Sequence, residues 1–403
     1  MPSGETDHQA ISRRAAAISE SATLAVDRRV KELRAAGSDV ISFAAGEPDF
    51  ATPLVVVEAA ARACRDPRWH HYTPAAGLPE LRQAVASHTG RRDGLELVPE
   101  QVLITNGTKQ AVAHAFTLLL DPGDEVLVPS PYWVSFPEAI ALAGGRAVPV
   151  PTSEATGFRV TPEDLDRHLT PRTKALLFVS PSNPTGSVYR REQMLAIGRW
   201  AVDHELWVVC DEIYDQFTYD GAEFNSLPAV VPELQSRALL LNGVAKAYSM
   251  TGWRVGWLVG PRTTVEAAAN LQSHVCGNIS NISQVAALAA LEEGASAAAE
   301  MRTAFARRRS AMLEYMDRVP GFECPAPEGA FYLFPSVRGA LGRMIGGQIV
   351  ETSAQLAAVL LEQARIAVVP GEAFNAPGYV RFSYALADQD LAEGMARLLR
   401  LLG

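Results

Sequence analysis

From about residue 100 the chain alternates short, continuously apolar runs with helical patterns, and this alternation limits the fold more than any other feature. Val102–Thr105, Glu125–Pro129, Arg146–Val150, Ala175–Val179, Leu206–Cys210, Ala238–Leu241 and Val255–Val259 read as strands. Lys109–Leu120, Trp133–Ala143 and Arg190–Glu205 read as helices between them. A strand that is apolar at successive positions must be covered on both faces, which is the condition of a parallel sheet flanked by helices. The spacing predicts an α/β fold with a mostly parallel seven-stranded sheet. In such sheets ligands bind beyond the carboxyl ends of the strands.

The two ends of the chain read differently. Ser21–Ala36 has apolar residues near helical spacing, with Gly37 as its stop, and Val40–Phe43 is a short strand. Thr52-Pro53 predicts a helix start with Thr52 as N-cap, and Thr161-Pro-Glu-Asp164 a start with a capping box. Beyond residue 294 a long helix, Ser296–Asp317, leads to short strands near Phe331–Phe334, Ala367–Val369 and Tyr379–Tyr384, and a last helix closes the chain. This predicts a large domain over 46–294 and a smaller α+β domain built from 1–45 and 295–403.

Composition narrows the function classes. The 403 residues are 48% hydrophobic and 20% charged, so a core is affordable and disorder is excluded. The net charge is −9, and no basic block stands out, which argues against nucleic acid or an anionic membrane as partner. Cys64, Cys210, Cys276 and Cys324 are widely spaced, so neither a zinc site nor any other metal centre is expected. Met1–Glu20 is polar and lacks the apolar core of a signal peptide, and no apolar run is long enough to span a bilayer. A cytoplasmic protein is the expectation. No two glycines stand at i, i+2, so the dinucleotide fingerprint is missing.

The turns after the strands hold the residues with chemical potential. Lys246 follows an apolar strand in the largely uncharged run Asn242-Gly-Val-Ala-Lys246; a lysine desolvated there has a lowered pKa and attacks carbonyls. Taken alone it reads as a surface lysine. Arg254 lies eight positions on, and its fork suits a phosphate or a surface ion pair. Gly107 and Thr108 open a helix, where free N–H groups hold phosphate, although Gly107 also suits a plain turn. Asp211 ends the run Leu206–Cys210 and needs a cationic partner or an N-cap role. Tyr214 is three residues on, and Asn183 sits between Pro181 and Pro184, where it also reads as an Asn-Pro turn. Together these residues describe a pyridoxal 5′-phosphate site. Lys246 forms the imine, Asp211 keeps the ring nitrogen protonated, Asn183 and Tyr214 hold the ring hydroxyl, and Arg254 with the helix start holds the phosphate.

The chain resembles the fold type I aminotransferases of class I/II, and within them the bacterial aspartate aminotransferases of the I-gamma subgroup. The stretches that carry the resemblance run in family order along nearly the whole chain. They are Ala45-Gly46-Glu-Pro-Asp-Phe50, Tyr72-Thr-Pro-Ala-Ala-Gly77, Pro129-Ser-Pro-Tyr-Trp133, Ser182-Asn-Pro-Thr-Gly186, Asp211-Glu-Ile-Tyr214, Lys246 with Met250-Thr-Gly-Trp-Arg254, and Val380-Arg381-Phe-Ser-Tyr384. The resemblance implies a homodimer with active sites at the interface. It implies that Arg381 clasps the substrate α-carboxylate, with Gly46 offering backbone to the same group. It implies that Trp133 stacks on the cofactor and that Tyr72 reaches the neighbouring subunit's phosphate. Lys246, once released, is implied as the base and acid that moves the Cα proton.

Lys109 matches a lysine that the subgroup associates with the distal carboxylate of aspartate, and Ser21 and Thr23 match a segment that closes over the substrate. Both favour a dicarboxylic amino acid. Members that also accept prephenate carry a basic residue where this chain has Ser19, which argues against prephenate. Gly107-Thr108 stands where Gly-Gly is common, which changes the pocket floor slightly. Gly243 and Ala245 lack hydroxyls that some relatives place before the lysine, so phosphate binding leans on Arg254 and backbone. Ser273–Ser280 is expected to line the partner's pocket. The expected activity is transfer of the amino group of an L-amino acid, foremost aspartate, to 2-oxoglutarate through a Lys246 Schiff base and a pyridoxamine form of the cofactor. The alternative is another pyridoxal phosphate reaction on the same scaffold, with a different donor or with side-chain elimination or replacement. A DNA-binding regulator is disfavoured, because no basic helix-turn-helix precedes residue 21 and the net charge is negative.

Overall fold

A computed structural model of the chain describes Ser12, Ala16 and residues 18–403. The polar stretch Met1–Glu20 lies largely outside these residues. In chain order the strands are β1 (Ile41–Ser42), β2 (Val102–Thr105), β3 (Glu125–Ser130), β4 (Arg146–Pro151), β5 (Thr173–Val179), β6 (Trp207–Asp211), β7 (Ala238–Gly243), β8 (Gly256–Val259) and β9 (Tyr332–Leu333). They continue with β10 (Met344–Ile345), β11 (Gln348–Ile349), β12 (Ile366–Ala367), β13 (Val369–Pro370) and β14 (Val380–Ser383).

Seven of them form one sheet in the order β2-β8-β7-β6-β5-β3-β4. All neighbouring pairs are parallel except the two made by β8, which runs against both β2 and β7. The apolar runs divide between the two faces residue by residue, as the period of two requires. Leu176, Val208 and Leu240 join one core with the helices Leu54–Ala63, Pro79–Asp93, Arg191–Asp203 and Asn281–Glu293. Leu177, Val209 and Leu241 join another with Thr108–Leu119, Ser135–Leu142 and Arg262–Val275. The mostly parallel seven-stranded sheet expected from the sequence is present, with β8 as its one reversed member.

A third core draws on both ends of the chain. Ile41 and Phe43 pack with Phe305, Phe331, Tyr332, Val368, Phe382 and Leu398. β1 pairs in parallel with β12, and β14 lies between β13 and β9 in a three-stranded sheet. β10 and β11 form a hairpin. The helix Ala295–Met316 spans from one of the large sheet's cores, through Ala298, to this one.

Two helix starts differ from their expectation. The helix expected at Trp133 begins at Ser135. Pro137 has no N–H to bond back to Trp133, so it is tolerated only within the first turn, and Trp133 is left in the preceding bend. Thr52 is not an N-cap, because the helix Leu54–Ala63 is entered through Pro53. The Thr52 hydroxyl instead donates to Ser249 O at 2.7 Å and accepts from Trp253 Nε1 at 3.0 Å, tying it to the segment after Lys246. The capping box at Thr161 is formed, with Asp164 N–H bonding Thr161 Oγ1 and Thr161 N–H bonding Asp164 Oδ2.

Candidate active site

The reversal of β8 decides what meets at the sheet's edge. Parallel strands bring Val179, Asp211 and Gly243 to one edge by their carboxyl ends. β8 brings its amino end there, with Gly256 opposite both Gly243 and Thr105. Arg254, two residues before Gly256, therefore arrives beside the start of the helix Thr108–Leu119. Gly256 and Gly243 are small for a reason: a Cβ on Gly256 would stand 2.5 Å from Thr108 N, and one on Gly243 2.9 Å from Thr108 Oγ1. Thr108 Oγ1 donates to Asn242 O at 3.0 Å, which locks the helix start to β7.

A cavity of about 770 Å³ opens at this edge. It is lined by Gly46, Thr108, Lys109, Trp133, Asn183, Asp211, Tyr214, Lys246, Arg254 and Arg381. Ten of the residues singled out in the sequence thus share one cleft, of a size that suits a small ligand. Gly107 sits behind Arg254 with φ at 72°, and a Cβ there would stand 2.6 Å from Arg254 Nη2. Arg254 is itself in the left-handed region at φ 58° and donates to Thr251 O and Asn106 O at 3.0 and 3.3 Å. Lys109 Nζ lies 4.9 Å from the Trp133 ring centroid. Thr23 also lines the cavity and is hydrogen-bonded to Ser21 at 2.9 Å.

Lys246 is half-buried and donates to the Gly46 carbonyl. Burial lowers its pKa to about 8; Glu47 opposes the shift, and Arg381 and Arg254 add to it. Asp211 is buried at the end of β6, where burial raises its carboxyl to about 7 against the pull of the Ile213 N–H and Lys246. Asp211 lines the cavity and also accepts the Ile213 N–H at 3.1 Å through Oδ1, a local turn contact.

Arg381, on β14, is 2% exposed. Its Nη1 donates to Asn183 Oδ1 at 2.9 Å and its Nη2 to Ala44 O at 2.8 Å, while Nε is buried with no partner. Its Cζ lies 4.4 Å from the ring centroid of Tyr332, whose hydroxyl is 2.8 Å from that of Tyr214. Burial raises the Tyr214 phenol, and Tyr332 adds to that. Tyr332 is a residue that sequence reasoning missed. A Cβ on Gly46 would lie 3.2 Å from its hydroxyl, so it also sets the space that Gly46 leaves. The only signal for it was its place in the short strand near Phe331–Phe334.

Tyr72 stands outside the cavity and is 97% exposed. Its loop is nonetheless clamped by Asn281, also missed. Thr73 Oγ1 donates to Asn281 Oδ1 at 2.6 Å, and Asn281 Nδ2 donates to His71 O and Trp69 O at 2.7 and 3.0 Å.

Comparison with known proteins decides the family. The sequence matches the family model described as aminotransferase class I and II over residues 38–398. The chain belongs to this family. As a class I/II aminotransferase it is 57% identical over 392 residues to an aspartate aminotransferase of Streptomyces avermitilis, covering 97% of this chain and 96% of the relative. It is 44% identical over 396 residues to an aspartate/prephenate aminotransferase of Thermus thermophilus, covering 98% and 99%. The crystal structure of an aspartate aminotransferase from Rhizobium meliloti superposes with a TM-score of 0.94 at 36% identity, covering 98% of each chain. The Thermus thermophilus aspartate aminotransferase with maleate gives 0.91 at 42% identity, covering 97% of this chain and 99% of that one. The fold is therefore type I of the aminotransferases, and the protein is an enzyme that transfers amino groups.

Proposed function

We propose that this aminotransferase moves the amino group of L-aspartate to 2-oxoglutarate with pyridoxal 5′-phosphate held in the cavity. The observation that carries the reading is the meeting of three groups around one cleft. These are a lysine amine lowered to about 8, a buried carboxylate at a strand end, and a buried guanidinium whose Nε has no partner. The residues suit the cofactor. Gly107 leaves open the space where a side chain would meet Arg254, and the N–H groups that start the helix Thr108–Leu119 favour phosphate. Asp211, buried without a cationic hydrogen-bond partner, suits a protonated ring nitrogen. When bound, pyridoxal phosphate supplies the electron sink for the substrate Cα.

The chain's own residues supply the rest. Arg381 is preorganised by Asn183 and Ala44, so its fork meets the α-carboxylate with little reorganisation. With its oxygen committed to Arg381, Asn183 has its amide N–H groups left to donate to the ring hydroxyl, beside Tyr214. Lys246 Nζ, neutral in a larger fraction than an ordinary lysine, takes the proton from the substrate Cα and returns it. Lys109 offers the charge for a distal carboxylate, and Trp133 the face for stacking. Maleate, bound by the Thermus relative, is a dicarboxylate, which supports this assignment. Ser19 is exposed and adds no charge for prephenate.

We further assign a homodimer in which Tyr72 reaches the partner's phosphate site. The side chain is nearly fully exposed on a loop that Asn281 fixes. Residues 46–294, and 1–45 with 295–403, are proposed as the two domains that bound the cleft. A cytoplasmic location belongs to the same reading, and the four cysteines are free thiols. The test is a donor and acceptor panel on the purified protein. Oxaloacetate forming from aspartate and 2-oxoglutarate, faster than from aromatic or aliphatic donors, is the expected result. No oxaloacetate would remove the substrate assignment.

A further inference from the structure

Next in sequence to the cavity-lining Asp211 and Tyr214 lies a buried ionic cluster that the proposed chemistry does not use. Arg92, in the last turn of the helix Pro79–Asp93, sits between three carboxylates. Its Nη1 donates to Asp215 Oδ2, and its Nη2 to Glu212 Oε2 and to Asp93 Oδ2, the last at 2.6 Å. Its Nε donates to Asp93 Oδ1 at 2.7 Å. The side chains of Asp93, Glu212 and Asp215 are 1%, 5% and 4% exposed, against 15% for Arg92. The guanidinium also lies over the Phe224 ring, 4.6 Å from its centroid.

What distinguishes this cluster is where its bonds lead. Glu212 directly follows Asp211, and Asp215 directly follows Tyr214, so one guanidinium grips the neighbour of each of two site residues. The second oxygen of Glu212 accepts from Ser226 Oγ at 2.6 Å. Asp215 Oδ2 accepts from Asn242 Nδ2 at 3.1 Å, and Asn242 Oδ1 accepts from the Gly243 N–H at 2.7 Å. The carbonyl of Asn242 is the acceptor that holds Thr108. Hydrogen bonds thus tie Arg92 to the residues that directly follow Asp211 and Tyr214, at the ring end of the site, and through Asp215 to Asn242, whose carbonyl holds Thr108 at its phosphate end. A planar fork with donors on two edges can hold Glu212 and Asp215 at fixed separation; an ammonium cannot. Buried ionic clusters are weak devices for stability alone, because desolvation offsets most of their attraction.

We infer that Arg92, acting through Glu212 and Asp215, is a positioning residue that sets the separation between the ring-binding and phosphate-binding ends of the cofactor site. The inference rests on the assignment of Asp211, Tyr214 and Thr108 to the pyridoxal phosphate site. It touches neither substrate nor cofactor directly, so its loss acts on cofactor binding before it acts on substrate binding.

The test compares wild type with Arg92→Lys, which keeps the charge and loses the fork, and Asp215→Asn, which keeps the shape and loses the charge. Three quantities are read on each full-length protein: the dissociation constant for pyridoxal phosphate by titration, the kcat and KM for the amino donor at saturating cofactor, and the melting temperature without cofactor. The expected result is a rise of about tenfold or more in the cofactor dissociation constant for both variants. The KM for the donor should stay within about twofold, because Arg381 and Lys109 are untouched. Cofactor affinity equal to wild type in both variants, with only the melting temperature lowered, would make Arg92 a structural residue and overturn the inference. So would a rise in donor KM with unchanged cofactor affinity. If wild type itself binds no pyridoxal phosphate, the cofactor reading fails, and the inference with it; wild-type binding with unaffected variants fails the inference alone.

Discussion

Lys246 is the residue on which the proposed chemistry turns, and its pKa makes a kinetic prediction. At pH 7 a lysine of pKa about 8 is neutral in about one molecule in ten, against about one in three thousand at the ordinary value. Only the neutral amine attacks an aldehyde, so capture of pyridoxal phosphate by cofactor-free protein should accelerate with pH and level off above about 8. Stopped-flow mixing across pH measures this; a rise that continues past pH 10 would mean an unperturbed lysine. At the other end of the substrate, Lys109→Ala should reduce kcat/KM for aspartate at least about tenfold more than for an aliphatic donor, the cost of one charge-assisted contact. Equal losses across donors would remove its role. Most of these residues were legible because each sits in a turn after an apolar strand, where chemistry is sought first. Tyr332 and Asn281 were not. One lies inside a short apolar strand and the other opens a helix, and both act through partners more than a hundred residues away in sequence, Tyr214 and His71 among them.

At the scale of elements, the strands and their order of use were readable from apolar runs bounded by turns. The direction of β8 was not, because an apolar run carries no mark of polarity; only its pairing with β2 and β7 shows that it runs backwards. That reversal is what puts Arg254 against Gly107, at the proposed phosphate end. Gly107→Ala should therefore weaken pyridoxal phosphate binding about tenfold and cost about 1–2 kcal/mol of stability, since the backbone is left-handed there and the Cβ meets Arg254. Unchanged affinity would argue that the cradle lies elsewhere. Glu125, at the start of β3, makes a second test. Its burial would raise its pKa, but hydrogen bonds from Arg146, Thr170 and Arg172 outweigh this and hold it at about 2. A depressed carboxyl stabilises the fold above its unfolded value near 4.5, and the stabilisation is lost as pH falls from there toward 2. Glu125→Gln should lower the melting temperature at pH 7 and flatten its fall between pH 4.5 and 2. A variant with the wild-type acid profile would show that the ion cluster contributes nothing.

For the whole molecule, net charge and the site point in opposite directions. The chain carries −9, yet the cavity is set with Lys109, Lys246, Arg254 and Arg381. Net charge therefore describes the chain as a whole and says nothing of the cleft, which on the proposed reading takes small anions. Both ends of the chain close one side of that cleft, through Ala44 on Arg381 and through the β1–β12 pair. The proposed dimer predicts that light scattering gives twice the chain mass, and that Tyr72→Phe weakens cofactor binding with the dimer intact. A fully active monomer would overturn the shared-site reading. The central claim is that Lys246 is the residue that binds the cofactor covalently, and reductive trapping tests it most directly. Protein loaded with pyridoxal phosphate is reduced with borohydride, digested and mapped by mass spectrometry. The account predicts the cofactor mass fixed on the peptide containing Lys246, and no fixed mass in Lys246→Ala. A label on any other lysine, or an equal label in that variant, would contradict it.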